Sequence, residues 1–302
     1  KVYSYKTVVE TVENPELEIS LEDAKKEVEG IELGETIIEK ELPLKDFGRV
    51  AAQSAKQIVV QRIKEAEKQS ISEEFQDKEG ELMVGTLSRE DQKNYFVDLG
   101  RSSGILPKDQ IIPGEKLVMG SSVKVYVSKL EIGPKGPFIL LSRSHYGFVK
   151  RLLEIEVPEL NDGTIMLYSV ARDAGSRTKI AVYTEYNNVD PIGAVIGEKG
   201  RRISAVLKEL GGEKIDVILY DKDPVKFIAN ALSPAKDVKV TIKDENKKEA
   251  LALANDSNLS LAIGKKGQNV KLASRLTHYK IEVKSESAQE ENKEEISSVE
   301  EE

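Results

Sequence analysis

The 302-residue sequence contains no cysteine, no tryptophan and only two histidines. The first absence excludes disulfides and every thiolate-bound zinc or iron–sulfur site. Two imidazoles leave little for other metal centres, so neither metal nor cofactor is expected. With aromatics at 5%, a large aromatic-lined pocket is not expected either. No apolar run approaches the ~18 residues that a membrane-spanning helix needs. The first residues alternate like a strand instead of forming a signal-peptide core. Together these predict no membrane partner and a reducing, cytoplasmic compartment. The chain does not open on methionine, which predicts a fragment or a trimmed form.

What is abundant is charge, 32% of residues against 39% hydrophobic, with a formal net charge of −8. Its distribution matters more than its sum. Residues 285–302 hold eight Glu against the single Lys293, and residues 1–80 hold 12 basic and 19 acidic side chains. The stretch 81–284 keeps 32 basic and 26 acidic residues. A mildly basic middle therefore lies between two acidic ends, which leaves nucleic acid open as a partner. The last 18 residues read as a solvated, disordered acidic tail.

The pattern divides the chain into six segments. Residues 1–44 read as a small α/β piece, with a strand over 1–12, a helix over 21–29 capped by Ser20, and a strand around Ile37 and Ile38. Residues 45–79 hold a long amphipathic connector helix, because Leu44, Phe47, Val50, Ile58, Val59 and Ile63 recur at helical spacing. From 80 to 145 the apolar period shortens to two. Strands at 81–88, 94–99, 122–129 and 138–142 are separated by turn clusters, one of them at Gly100–Gly104. They predict a five-strand barrel of the OB type. Residues 146–222 and 223–284 then repeat one unit, and 285–302 is the tail.

The repeat is the main signal. In each copy the order is helix, strand, strand, short helix, G-x-x-G, helix, strand. The glycine loops are Gly197-Glu198-Lys199-Gly200 and Gly264-Lys265-Lys266-Gly267, 67 positions apart. This is the order of a type II KH domain, in tandem. Glycine at both loop ends leaves bare backbone that a sugar-phosphate chain can approach. The helix that starts at the loop presents unpaired N–H groups and a positive dipole end to phosphate. Lys199, Arg201 and Arg202 in one copy, and Lys265 and Lys266 in the other, supply counter-charge. Gln268 and Asn269 are candidate donors to backbone or base edges. Glu198 predicts a first loop that binds more weakly or turns that side chain away. Arg143 and His145, where barrel meets repeat, are expected to contact RNA backbone. Tyr95 and Phe96 fall on opposite faces of one strand, so only one of them is expected outside. No G-K-[ST] tripeptide supports a P-loop, and no nucleophile–base pair or carboxylate cluster supports an enzyme.

Several runs are more specific than the loops. Leu141-Ser142-Arg143-Ser144-His145, Ala171-Arg172-Asp173-Ala174-Gly175-Ser176-Arg177, Asp190-Pro191-Ile192-Gly193 and Gly211-Gly212-Glu213-Lys214-Ile215-Asp216-Val217 resemble the NusA family of bacterial transcription factors. The likeness extends to the order of modules: polymerase-binding segment, long helix, ribosomal-protein-type OB-fold, KH, KH. It implies a factor that rides on RNA polymerase and holds nascent single-stranded RNA to modulate pausing, termination and antitermination. It further implies other Nus-type factors as partners, and the chain is expected to be monomeric. By the family's pattern the start is truncated, so that residues 1–44 are a partial polymerase-binding domain, and no acidic repeat domains follow the second KH unit. The alternative expectation is a KH/OB protein acting on the ribosome or on RNA turnover without polymerase contact.

Overall fold

The structure, a computed structural model, describes residues 2–12, 14–28, 30–42, 49–133 and 136–287. The chain divides into two compact units, residues 1–69 and 70–302.

In the first unit, strand β1 (Val2–Val9) pairs in parallel with β2 (Glu18–Ser20) and antiparallel with β3 (Thr36–Leu42). Helix α1 (Leu21–Glu27) starts where expected, because Ser20 Oγ accepts from the Asp23 amide at 3.2 Å and satisfies one of the unpaired N–H groups of the first turn. Val8, Ala24, Ile31 and Ile37 form its small core. Helix α2 (Arg49–Gln76) has 28 residues and runs about 42 Å at 1.5 Å per residue. The expected helix start at 44–48 lies outside the described residues. The amphipathic reading is corrected in part: Ile58, Val59 and Ile63 are 53–60% exposed, so that part of the stripe faces no core within the unit.

In the second unit, Phe75 from the end of α2 is buried in the barrel core. The barrel closes in the order β4-β5-β6-β8-β7. Its strands are β4 (Leu82–Glu90), β5 (Asn94–Asp98), β6 (Ser103–Pro107), β7 (Ser122–Gly133) and β8 (Gly136–Ser142). Val123, Val125 and Val127 alternate inward along β7 to meet Leu87, Val97, Leu106, Ile139 and Leu141. The cluster Gly100–Gly104, read from sequence as a turn, ends inside β6, the fifth strand. Gly104 sits there because a Cβ would collide with Leu141 as β6 meets β8 to close the barrel.

The first repeat comprises α3 (Tyr146–Glu156), the short α4 (Pro158–Asn161), β9 (Met166–Asp173), β10 (Arg177–Tyr183), α5 (Pro191–Ile196), α6 (Arg201–Glu209) and β11 (Lys214–Leu219). The second comprises α7 (Pro224–Ala231), β12 (Lys239–Asp244), β13 (Glu249–Ala254), α8 (Asp256–Ile263), α9 (Gln268–Thr277) and β14 (Lys280–Ser285). Both sheets have the same topology: an antiparallel hairpin whose second strand pairs in parallel with the last. The cores differ in one respect. Phe227, Ile228, Leu272, Ala273 and Leu276 of the second repeat pack with Ala171, Ala181 and Ile218 of the first, in one continuous cluster. Alanine at 171 and 181 lets helices of the second repeat lie close on the sheet of the first.

Candidate nucleic-acid interface

Each glycine loop is built from the same backbone. Gly197 and Gly264 have φ of 74° and 73°, Lys199 and Lys266 both have φ 54°, ψ 27°, and Gly200 and Gly267 have φ of 75° and 74°. A lysine held twice in the left-handed region, where a side chain is disfavoured by about 1–2 kcal/mol, marks backbone strain kept at one place in both repeats. In both loops the lysines (199, 265 and 266) are exposed.

The two glycines of a loop are required for different reasons. A Cβ on Gly264 would lie 2.7 Å from Asn269 Cβ and 2.8 Å from its amide nitrogen. On Gly197 it would lie 2.7 Å from Arg202 Cγ. A Cβ on Gly267 or Gly200 would meet nothing closer than 3.8 Å. The first glycine makes room for the helix that follows, and the second faces open space. Gly264→Ala is therefore expected to destabilise the fold by several kcal/mol, through clash and positive φ together. Gly267→Ala is expected to cost only about 1–2 kcal/mol while obstructing RNA. Thermal melts and RNA titrations of the two variants check this, and equal loss of stability in both would contradict it.

Residues five positions beyond the first glycine fasten each loop. Arg202 donates from Nη1 to the Ala194 carbonyl at 2.7 Å and to Glu159 Oε2 at 2.9 Å. Asn269 donates from Nδ2 to the carbonyls of Leu261, Ala262 and Leu232 at 2.9–3.1 Å. Ala194 and Leu261 both lie three residues before the glycine, so unlike side chains satisfy equivalent end-of-helix carbonyls. This corrects the reading of Asn269 as an RNA donor: it is 2% exposed and holds the loop from inside. Gln268 Nε2 donates to Asp173 Oδ2 and Ser176 Oγ of the first repeat at 2.5 and 2.7 Å.

Among the described helix starts, five carry a side-chain cap, and α4, α6 and α9 carry none. Ser20, His145, Asp190, Asp223 and Asn255 each accept from an N–H in the first turn of their helix. Helices α6 and α9 begin on Gly200 and Gly267 with no side-chain cap. The Arg201 and Gln268 amides donate to the Glu198 and Lys265 carbonyls within the loops, while the positive dipole ends stay open to an anion, beside exposed Arg201 in one repeat and Lys265 and Lys266 in the other.

Arg143 requires correction. It is 2% exposed and bound within the protein, donating to Glu115 at 2.9 Å, to Glu209 at 3.0 Å and to the Lys124 carbonyl. It ties the barrel to α6 and has no donor face toward RNA. Next to it, Arg172 pairs with buried Glu213 at 2.9 Å and donates to the carbonyls of Arg143 and His145 at 2.7 and 2.8 Å. Lys179, fully buried, reaches Asp216 at 3.1 Å and the Ser233 carbonyl at 2.7 Å, joining the repeats. Burial pushes its ammonium below the ordinary lysine range, against the pull of Asp216. These interior partners leave no period in sequence and were missed there.

His145 caps α3, with Nδ1 accepting from the Gly147 amide at 3.1 Å, and its ring stacks on Tyr126 at 4.8 Å. Burial, helped by the Arg172 charge, holds its pKa below the ordinary 6.5. A histidine whose folded pKa is depressed contributes stability above its unfolded pKa that is lost as pH falls below it, because the unfolded chain takes the proton first. Stability is expected to decline as pH drops below about 6.5. His145→Asn, which keeps a capping acceptor, is expected to lose that part of the dependence in pH-resolved melts; an unchanged dependence would contradict the assignment.

On the barrel, Arg89 lies over the Phe96 ring at 3.9 Å, while Tyr95 packs toward the core. Among the described residues there is no group of three or more His, Asp or Glu placed to hold a metal, and no helix long and apolar enough to cross a membrane.

Three family models match the chain: a NusA N-terminal domain over residues 1–69, a NusA-like first KH domain over 143–220 and a NusA-like second KH domain over 224–291. The chain is similar to the transcription termination/antitermination protein NusA of Halalkalibacterium halodurans, 47% identical over 287 residues (95% of this chain, 75% of that protein). The protein of the same name from Bacillus subtilis is 47% identical over 286 residues (95% and 76%). That of Thermus thermophilus is 45% identical over 277 residues (91% and 70%).

Proposed function

The chain belongs to the NusA family, and from that membership we propose that it is a transcription termination/antitermination factor that grips single-stranded RNA emerging from RNA polymerase. The observation that carries the proposal is the pair of superimposable glycine loops, each feeding an uncapped helix N-terminus beside lysine or arginine charge. Gly197, Lys199, Gly200 and Arg201 form one phosphate grip, and Gly264, Lys265, Lys266 and Gly267 the other. Arg202, Gln268 and Asn269 position them, and Arg143 serves the fold. The first grip, carrying Glu198, is the weaker.

Each KH groove takes ~4 nucleotides, and the outer barrel face with Arg89 and Phe96 extends the track. The repeats share a core, so one RNA runs across both. The acidic first unit is assigned to RNA polymerase, with other Nus-type factors as further partners; the chain acts as a monomer in the cytoplasm, without catalysis of its own. A pull-down with core RNA polymerase tests the protein partner. Retention of polymerase by the full chain, lost on deletion of residues 1–69, is the expected result; RNA binding without polymerase retention would favour a ribosomal or RNA-turnover role.

A further inference from the structure

A cleft of about 360 Å³ opens beside the second glycine loop, and only one of its walls belongs to the second repeat. That wall is Gly264, Lys265 and Asn269; the facing wall is Ser176, Arg177 and Lys214 of the first repeat. Gln268 spans the two by donating to Ser176 and Asp173, which fixes their separation. The turn that carries Ser176 and Arg177 is itself anchored, since the Gly175 amide donates to the buried Glu213 carboxylate at 2.9 Å.

Three cations converge here. Lys214 and Lys265 are exposed with no ion pair among the described residues, and Arg177 is 3.6 Å from Asp216, a carboxylate that Lys179 also engages at 3.1 Å. A second observation points to a ligand. Asn269 Oδ1 is the one buried side-chain polar atom among the described residues that has no hydrogen-bond partner. Its orientation is settled by the three carbonyls on Nδ2. A buried acceptor left unpaired is unfavourable, and the residue that carries it lines the cleft.

We propose that this cleft is a composite subsite for one phosphate-ribose unit of single-stranded RNA, in which Arg177 and Lys214 of the first repeat complete the phosphate grip of Lys265 in the second. A phosphodiester answers the three cations that line the cleft. The second KH unit is then not a self-sufficient RNA binder: its loop is finished by the neighbour packed against it. The inference deepens the RNA-binding reading above and rests on it.

The test uses the full chain with a fluorescent pool of random-sequence RNA 12-mers. Arg177→Ala/Lys214→Ala is expected to bind at least tenfold more weakly. The slope of log affinity against log salt is expected to become shallower by about 0.7, the value for one fewer phosphate neutralised on a single strand. In a double-mutant cycle, Lys214→Ala and Lys265→Ala are expected to be less than additive, as residues sharing one ligand group are. The single variant Lys214→Ala alters an exposed side chain and keeps the test valid should the Arg177 change disturb folding. Affinity within twofold of the parent for Lys214→Ala, or full additivity in the cycle, overturns the composite site. Failure of the parent chain to bind the pool overturns the RNA reading itself.

Discussion

Lys265→Asp/Lys266→Asp is expected to weaken binding to single-stranded RNA by two orders of magnitude or more. The change removes two positive charges from the approach to an uncapped helix N-terminus and adds two negative ones. Both side chains are exposed, and aspartate tolerates the left-handed conformation that residue 266 adopts. The melting temperature should therefore stay near that of the parent. If the parent neutralises ~4–6 phosphates, its log–log salt slope is about −3 to −4, and the variant's should be shallower by at least 1.4. Fluorescence anisotropy across a salt series measures both. Unchanged affinity at low salt would remove the second loop from the interface.

The second large effect is on stability. Glu213→Gln is expected to destabilise the second unit by about 3–5 kcal/mol, because it leaves the Arg172 guanidinium buried without its countercharge. At roughly 2–4 °C per kcal/mol for a domain of this size, the melt should move down by about 10 °C. Glu213 is fully buried, receives Arg172 at 2.9 and 3.0 Å, and also accepts from Thr178 Oγ1 and the Gly175 amide. The apolar replacement Arg172→Met/Glu213→Leu should recover only part of the loss. It removes the buried charges but strands the Thr178 hydroxyl, the Gly175 amide and the carbonyls of Arg143 and His145, which the pair now satisfies. A melt within 2 °C of the parent for Glu213→Gln would show that the pair is replaced by water. Because Gly175 begins the turn that carries Ser176 and Arg177, the same variant should also weaken RNA binding.

Where sequence and structure part, the reason is the range of the interaction. The strands of both repeats and the start of α1 are visible in local pattern: Val238, Val240 and Ile242 alternate, and Ser20 precedes Asp23 by one turn. Strand β6 is not, since Ser102, Ser103 and Gly104 carry turn chemistry. Only the need to close the barrel against Leu141 makes a strand of them. Arg143 and Asn269 look in sequence like ideal RNA ligands, an arginine at a module junction and an amide after a glycine loop. Their partners Glu115, Glu209 and Leu232 lie 28, 66 and 37 positions away, and no spacing rule reveals such a pair. A charged or amide residue reads the same whether it faces solvent or satisfies a buried carbonyl.

From the amino-acid order alone come the class of the molecule and the place of its chemistry: two copies of one α/β unit, a preceding barrel, acidic ends, and the glycine loops with their charge. These are properties of short segments, set by the periodicity of apolar residues and by the conformational freedom of glycine. The fold alone decided which of the cations remain available. It turned Arg143, Arg172 and Lys179 inward to hold the modules together, and it set Arg177 and Lys214 of one repeat against the loop of the next. That outcome depends on which surfaces bury each other. The alanines at 171 and 181 allowed the helices of the second repeat to settle on the sheet of the first, and the charged side chains followed.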